Sequence, residues 1–187
     1  MALVDRETLR ANHERVAGRL KADDGFGLMR PYVTATLVRD VSVECSFEQY
    51  DRPFSFHGDE AADRGGHETG PSPMRYLLSG VAFCLLGWIA KASALEGVEL
   101  SACRTHLRTF LDMRGEHGVG DVPANPQWLV IETEVESEAP EADVLRVLDH
   151  GRTHCPLTVL VGRAIPVWER VTLNGRVIRD TVPAEAA

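Results

Sequence analysis

Residues Gly65–Leu95 read GGHETGPSPMRYLLSGVAFCLLGWIAKASAL, and this stretch decides the fold. It opens as a turn rich in glycine and proline. It continues as an apolar segment in which Lys91 is the only charged residue between Tyr76 and Leu95. A helix that is apolar on all sides is normally a buried helix. We therefore predict that this segment forms the central helix of the protein.

The start of this helix is marked by two consecutive residues. Ser72 is a good N-cap and Pro73 suits the first helical position, so we predict a helix over Pro73–Leu95, roughly 35 Å long. Such a length could span a membrane. However, serine and glycine dilute its hydrophobicity, and its flanks lack the basic cluster that orients membrane helices. We expect a core helix whose apolar cover is completed by a second subunit.

The composition narrows the class of protein. The chain has 187 residues, 44% of them hydrophobic and 26% charged, which is typical of one globular domain. A net charge of −8 argues against binding to nucleic acid or to an anionic membrane. The first 20 residues are charged and amphipathic, without the apolar core of a secretion signal. We therefore expect a cytoplasmic protein.

The remaining residue pattern predicts an α+β fold. A helical extension occupies residues 1–25, and one domain occupies residues 26–187. Before the central helix we predict a helix over Val4–Ala22. It is followed by an antiparallel meander of three strands, over Tyr32–Val38, Val41–Phe47 and Pro53–His57. After it we predict three more strands, over Val98–Met113, Gln127–Ser137 and Ile165–Leu173. A helix over Pro140–Thr153 lies between the second and third of these strands.

Two of the four cysteines stand out by their position. Cys84 lies in the middle of the central helix, among small residues that allow another element to approach. Cys155 is followed by Pro156, which predicts that the cysteine lies at the start of a short helix. Exposed amide groups at such a position stabilise a thiolate. The absence of a C-x-x-C motif and of an export signal argues against a structural disulfide framework.

A thiolate can attack the O–O bond of a peroxide and become a sulfenic acid, which a second thiol condenses into a disulfide. Cys84 and Cys155 could form such a pair if folding brings them together. Residue types alone leave open the alternative that both are buried structural cysteines. A third interpretation is a metal site, because Cys103 and His106 have C-x-x-H spacing and could be joined by His154 and Cys155.

Three features together resemble the OsmC/Ohr family of hydroperoxide-reducing proteins. They are the Gly-Gly-His-Glu-Thr-Gly-Pro-Ser-Pro sequence at positions 65–73, the apolar helix carrying Cys84 and the later His-Cys-Pro at 154–156. The resemblance extends roughly from Tyr32 to Leu173. It implies an α+β fold with antiparallel sheets around a long buried helix, assembled as an intertwined homodimer with its sites at the subunit interface.

The resemblance also implies a chemistry. Cys84 would be the peroxidatic cysteine that reduces an organic hydroperoxide, and Cys155 would be the resolving cysteine. An external dithiol, such as a lipoylated protein, would then reduce the disulfide. Neither a metal nor an organic cofactor is implied.

The sequence departs from the Ohr branch of the family at one position. That branch has a glutamate directly after the proline that opens the helix, where it helps to hold a catalytic arginine; here the position is Met74. Glu60 or Glu68 could replace the carboxylate. The arginine would come from the N-terminal strands, where Arg39 is our candidate and Arg52 the other possibility.

The missing carboxylate motivates an alternative function. The protein could be a non-catalytic dimer of the same fold that binds a small apolar ligand at the subunit interface. Tyr76, Phe83 and Trp88 are candidates for lining an apolar pocket, although core packing is an equally ordinary role for aromatic side chains. A Cys84 pKa well below 7 would favour catalysis, and an unperturbed pKa would favour ligand binding.

Overall fold

A computed structural model describes residues 3–184 and has the mixed α+β architecture that the sequence predicts. This part of the chain contains five α-helices, seven β-strands and one short 3-10 helix, Ala62–Arg64. In order, the α-helices and β-strands are α1 Arg6–Ala22, β1 Thr34–Arg39, β2 Ser42–Gln49, β3 Arg52–Gly58, α2 Pro73–Glu96, β4 Ala102–Thr109, α3 Met113–Glu116, β5 Leu129–Glu136, α4 Glu141–His154, α5 Pro156–Gly162, β6 Val167–Leu173 and β7 Arg176–Asp180.

The described chain divides into two units. The larger unit contains the chain up to Ala17 and everything from Gly80 onward, and the smaller unit contains Gly18–Ser79. The predicted extension (1–25) and domain (26–187) follow a different division, which remains a prediction. Residues 1–2 and 185–187 of those ranges lie outside the described residues.

The smaller unit contains the predicted antiparallel meander, with strand order β1-β2-β3. The turn between β1 and β2 places Asp40 at a φ of 51°, a left-handed conformation that aspartate tolerates. Phe47 and Phe54 are register partners whose rings stack at 5.4 Å. No residue of these three strands is fully buried, so the sheet has little apolar cover within one chain.

The loop between β3 and α2 is built around the buried carboxylate of Asp59. Its Oδ2 accepts hydrogen bonds from the Thr69 hydroxyl at 2.7 Å and from the backbone N–H groups of His67 and Thr69 at 3.2 Å. Its Oδ1 accepts one from the Glu60 N–H at 2.9 Å. Gly66 is required here, because a Cβ would overlap the Glu60 carbonyl. The family-like Gly-Gly-His-Glu-Thr-Gly segment is therefore a carboxylate-centred turn.

The larger unit contains a four-stranded sheet in the order β4-β5-β6-β7. Its β4–β5 and β6–β7 pairs are antiparallel, and β5 and β6 run parallel because α4 and α5 carry the chain back between them. The prediction that β6 is the last strand was wrong. Asn174 and Gly175, at φ values of 50° and 77°, form a tight turn from which β7 returns along β6.

The helix α2 extends one residue beyond the predicted end, to Glu96, and buries one face in the larger unit. The buried side chains on this face include Val81, Leu85 and Ile89. Gly151 of α4 lies against this face so closely that a Cβ would stand 2.7 Å from Ile89 Cγ1. The opposite face is open in the single chain, where Phe83 is 76% exposed. One chain therefore covers α2 only in part, and the expectation that a second subunit completes its cover stays a prediction.

α2 is also long and apolar enough to cross a membrane when judged by length and composition. The core helix of a soluble protein passes the same test, so a single such helix is weak support for a membrane protein. The face buried against α4 gives it a core role in this fold.

The N-terminal helix α1 is held to the C-terminal end of α2 by two arginines. Arg10 donates from Nε and Nη2 to the Ala94 carbonyl, at 3.0 and 2.6 Å. Arg6 donates to the Gly97 carbonyl at 2.9 Å. These carbonyls belong to the helix end that lacks intrahelical partners and carries a partial negative charge. α1 therefore caps the central helix.

We predict that Asp59→Asn lowers stability in a pH-dependent way. The Thr69 hydroxyl and the backbone N–H donors hold the Asp59 pKa at about 2, below its ordinary value of 3.8, although burial opposes them. Because the folded-state pKa is depressed, the stabilisation is complete above about pH 4 and is lost as pH falls toward 2. Urea midpoints at pH 6 should therefore differ between parent and variant, and should converge near pH 2.

Asp63→Asn is the control, since it removes the same charge from an exposed position in the same loop. A difference between parent and Asp59→Asn that persisted unchanged to pH 2 would contradict a charge-dependent role for the carboxylate.

Candidate functional site

The structure brings Cys84 and Cys155 together in the larger unit. Cys84 projects from the middle of α2 and is half-buried; Cys155 is fully buried at the junction of α4 and α5. Cys155 lies near enough to Cys84 to contribute to the pKa of its thiol. Two groups remote in sequence therefore form one thiol pair.

Cys155 is the N-cap of α5, and Pro156 occupies the first turn, as the sequence predicts. The Cys155 sulfur accepts hydrogen bonds from the Thr158 N–H at 3.4 Å and from the Thr158 hydroxyl at 3.2 Å. The Leu157 N–H of the same turn lies within hydrogen-bonding reach of Cys84. Because proline has no N–H, the first two amides of α5 are divided between the two sulfurs.

The pKa of Cys84 is raised above its ordinary value in the single chain. Burial is the largest cause, since it disfavours the thiolate, and the hydrogen bond with Cys155 acts in the same direction. The Leu157 N–H and the positive charge of Lys91 oppose this and lower the pKa. The net direction is opposite to that expected of a thiol already primed as an anion.

A cluster of rings and charges that the sequence did not indicate lies beside the thiol pair. The Trp88 ring centroid is 5.6 Å from that of His154, which in turn is 4.3 Å from that of His150. His154 Nδ1 is 2.9 Å from the His150 carbonyl, so this nitrogen carries the proton. Lys91 places its ammonium group 4.6 Å from the Trp88 ring centroid. Trp88 follows Cys84 by one helical turn. This i, i+4 spacing is the sequence signal that could have placed Trp88 beside the thiol.

The predicted arginine and carboxylate candidates belong to the smaller unit. Arg39 is 74% exposed and pairs with Asp40 at 3.3 Å. Glu60 pairs with Arg64 at 3.3 Å, and Glu68 accepts the Ala62 N–H at 3.2 Å. Arg52 is exposed at the start of β3. The two glutamates thus have structural partners within the loop, and a catalytic role for Arg39 stays a prediction.

Of the aromatic candidates for an apolar pocket, only Trp88 is part of the cluster beside the thiols. Phe83 is largely exposed on α2. Tyr76, in the smaller unit, packs against Phe56 at 5.0 Å and donates a hydrogen bond to the His57 carbonyl.

Cys103 and His106 do not form half of a metal site. They are three residues apart on β4, and residues separated by an odd number point to opposite faces of a strand. Burial raises the Cys103 pKa to about 11, which fits an inert core thiol. No group of three or more metal-binding side chains occurs among the residues that the structure describes.

A family model described as OsmC-like protein matches residues 65–170, more than half of the chain. The chain therefore belongs to the OsmC-like family. The match begins at the carboxylate-centred loop and includes α2, Cys84, the Cys155 turn and the first part of β6. No curated protein matches the chain at a significant level.

Solved structures of OsmC-like proteins share the fold. An OsmC-like protein from Mycoplasma pneumoniae aligns with a TM-score of 0.65 and 18% identity, covering 78% of this chain and 97% of its own. An organic hydroperoxide resistance protein OsmC from Legionella pneumophila aligns with a TM-score of 0.59 and 13% identity, covering 78% of this chain and 98% of its own. An organic hydroperoxide resistance protein from Elizabethkingia anophelis, with thiocyanate bound, aligns with a TM-score of 0.60 and 12% identity, covering 79% of this chain and 98% of its own. Identities this low establish a common fold.

We predict that Cys84 reacts slowly with iodoacetamide at pH 7 and about tenfold faster for each added pH unit up to pH 9. Only the thiolate reacts, and a raised pKa leaves little thiolate at neutral pH. Peptide mass mapping of timed samples reads each thiol separately, with Cys103 as a slower internal control. A Cys84 rate that is already constant between pH 6 and 8 would show that the thiol is deprotonated in solution.

Proposed function

We propose that this protein is a thiol-dependent peroxidase that reduces organic hydroperoxides. The observation that carries the proposal is the thiol pair itself, in which the fold brings Cys155 near enough to Cys84 to act on the pKa of its thiol. Membership of the OsmC-like family and the fold shared with organic hydroperoxide resistance proteins support it. We assign the peroxidatic role to Cys84, because it is the more accessible sulfur of the two.

The reaction begins when the Cys84 thiolate attacks the terminal oxygen of the hydroperoxide. The O–O bond breaks, the alkoxide leaves and takes up a proton to become an alcohol, and Cys84 becomes a sulfenic acid. The Cys155 thiol then attacks the Cys84 sulfur. A disulfide forms and the sulfenic hydroxyl leaves as water.

An external dithiol completes the cycle by reducing this disulfide. It restores both cysteine thiols and is itself oxidised to a disulfide. A lipoylated protein would suit this step, because a dithiol on a flexible arm can reach a partly buried site. A cytoplasmic location fits this assignment, since thiols remain reduced there.

Thiolate formation at Cys84 needs help, because its pKa is raised. The Leu157 N–H at the start of α5 supplies one stabilising hydrogen bond. Arg39 remains our candidate for a guanidinium that approaches the site during catalysis. Removal of either Arg39 or Arg52 by mutation would show which of the N-terminal arginines contributes.

We further propose that the functional unit is a homodimer. The three strands of the smaller unit bury no residue within one chain, and α2 leaves Leu77 50% exposed and Phe83 76% exposed. Exposed apolar side chains of this kind often mark surfaces that bind another protein. A second copy that covered α2 would also exclude water from the half-buried sulfur of Cys84.

A ligand-binding dimer without catalysis is the second candidate. The raised pKa of Cys84 favours it, because a thiol that stays protonated is a poor nucleophile. A groove of about 470 Å³ in the smaller unit, lined partly by Tyr32, Val33 and Phe56, would suit a small apolar ligand. Peroxide consumption separates the two candidates, since binding alone consumes none.

We predict that Cys84→Ser abolishes the consumption of cumene hydroperoxide, since it removes the attacking sulfur. Cys155→Ser should still reduce a first equivalent of peroxide, after which Cys84 gains a second oxygen and becomes sulfinic acid. Cys45→Ser is the matched control and should keep the parental rate. Peroxide is measured by a ferrous-ion colour assay, and the oxidation state of Cys84 by mass spectrometry.

Parental activity in Cys84→Ser would eliminate the peroxidase assignment. An inactive parent protein that binds an apolar probe in the groove would support the ligand-binding candidate.

We predict that the parent protein sediments at twice its chain mass of 20.6 kDa and that Phe83→Glu shifts it toward the monomer. A carboxylate buried without a partner costs several kcal/mol, so dimer affinity should fall by at least roughly 100-fold. Val119→Glu is the control, because it adds the same charge to a loop residue that is also exposed. Monomeric parent protein, or an unaffected Phe83→Glu dimer, would place this helix face outside any dimer interface.

A further inference from the structure

Lys91 is an unusual residue for its position on α2. It is the only charged side chain between Tyr76 and Leu95, and no ion pair joins it to a carboxylate within residues 3–184. Glu96, at the end of the same helix, is engaged by Arg146 at 2.9 Å and by His150 at 3.1 Å. Lys91 also precedes the final helical turn, where the helix dipole would favour a cation. Lys91 is exposed, so solvation accounts for its charge, but no carboxylate fixes where that charge lies.

The position of the Lys91 ammonium is fixed by an aromatic ring. Its Nζ lies 4.6 Å from the Trp88 ring centroid, within the range of a cation–π interaction. Trp88 follows Cys84 by one helical turn, so both project from neighbouring positions on α2. The same ring lies 5.6 Å from His154, the residue before Cys155. Cys84, Trp88 and Lys91 are spaced i, i+4 and i+7 on α2 and so lie along one face of the helix.

We propose that Lys91, held over the ring of Trp88, is the positioning cation that stabilises the Cys84 thiolate and sets the pH at which Cys84 reacts. The chemical role rests on the proposed peroxidase function, but the electrostatic effect does not. It would provide from α2 itself the positive charge that the family resemblance assigns to an arginine.

The groups around Cys84 are consistent with this role. Cys155 from the α4–α5 junction raises the pKa of Cys84, and the Leu157 N–H and the Lys91 charge lower it. The His154 ring lies 5.6 Å from that of Trp88 and 4.3 Å from that of His150, and the Glu96 carboxylate is engaged by His150 at 3.1 Å. Among these groups, Lys91 is the lysine that lies over the Trp88 ring.

The test compares Lys91→Met, Lys91→Arg and Lys21→Met with the parent. Lys21 is the other lysine of the chain and lies exposed at the end of α1, so its variant controls for net charge. Iodoacetamide alkylation of Cys84 is followed by peptide mapping from pH 7 to 9.5. We expect Lys91→Met to shift the profile upward in pH and to slow alkylation at pH 8 about threefold. Lys91→Arg and Lys21→Met should follow the parent.

Salt provides a second readout that a purely structural role would not move. The difference between parent and Lys91→Met should shrink in 1 M salt, where charges are screened beyond about 3 Å. Superimposable parent and Lys91→Met profiles, or an equal shift in Lys21→Met, would overturn the inference. Alkylation does not require turnover, so a Lys91 effect in a protein without peroxidase activity would sink the proposed function and leave the electrostatic role intact.

Discussion

The close approach of the α4–α5 segment to the central helix is the constraint on which the site depends. Gly151 lets the backbone of α4 lie directly against Ile89 of α2. One turn later, the same segment ends α4 and begins α5 at Cys155, next to Cys84. A larger residue at position 151 would separate the two helices and, with them, the two sulfurs. The packing of this glycine thus lets the α4–α5 segment lie close to the central helix.

Opposing physical effects meet at Cys84. Burial and the neighbouring thiol favour the protonated form, while one backbone amide and the charge of Lys91 favour the thiolate. In the proposed reaction, burial limits further oxidation of the Cys84 sulfenic acid and keeps it near Cys155. The raised pKa of Cys84 in the single chain therefore reflects a buried site, in which the thiolate forms less readily than in water. Any positive charge near Cys84 then favours the thiolate.

Much of the fold could be predicted because its signals are local. The Ser-Pro start of α2, the proline after Cys155 and the alternation of β1–β3 each fix an element from neighbouring residues. β7 was missed because Arg176–Asp180 is short and charged, although the Asn-Gly turn before it is a strong hairpin signal. The contact between the Trp88 and His154 rings joins residues far apart in sequence, so no pattern in the chain could indicate it. The sequence shows Lys91 as the only charge in the apolar helix, but only the structure shows that its ammonium group lies over the Trp88 ring.

The formation of one specific disulfide tests the central claim most directly. Reduced protein is treated with one equivalent of cumene hydroperoxide, its remaining thiols are blocked, and its peptides are mapped by mass spectrometry. We expect the number of free thiols to fall from the four cysteines of the sequence to two, with a single cross-link between the peptides of Cys84 and Cys155. Four free thiols after treatment, or a cross-link that involves Cys45 or Cys103 instead, would contradict a peroxide-driven reaction between these two sulfurs.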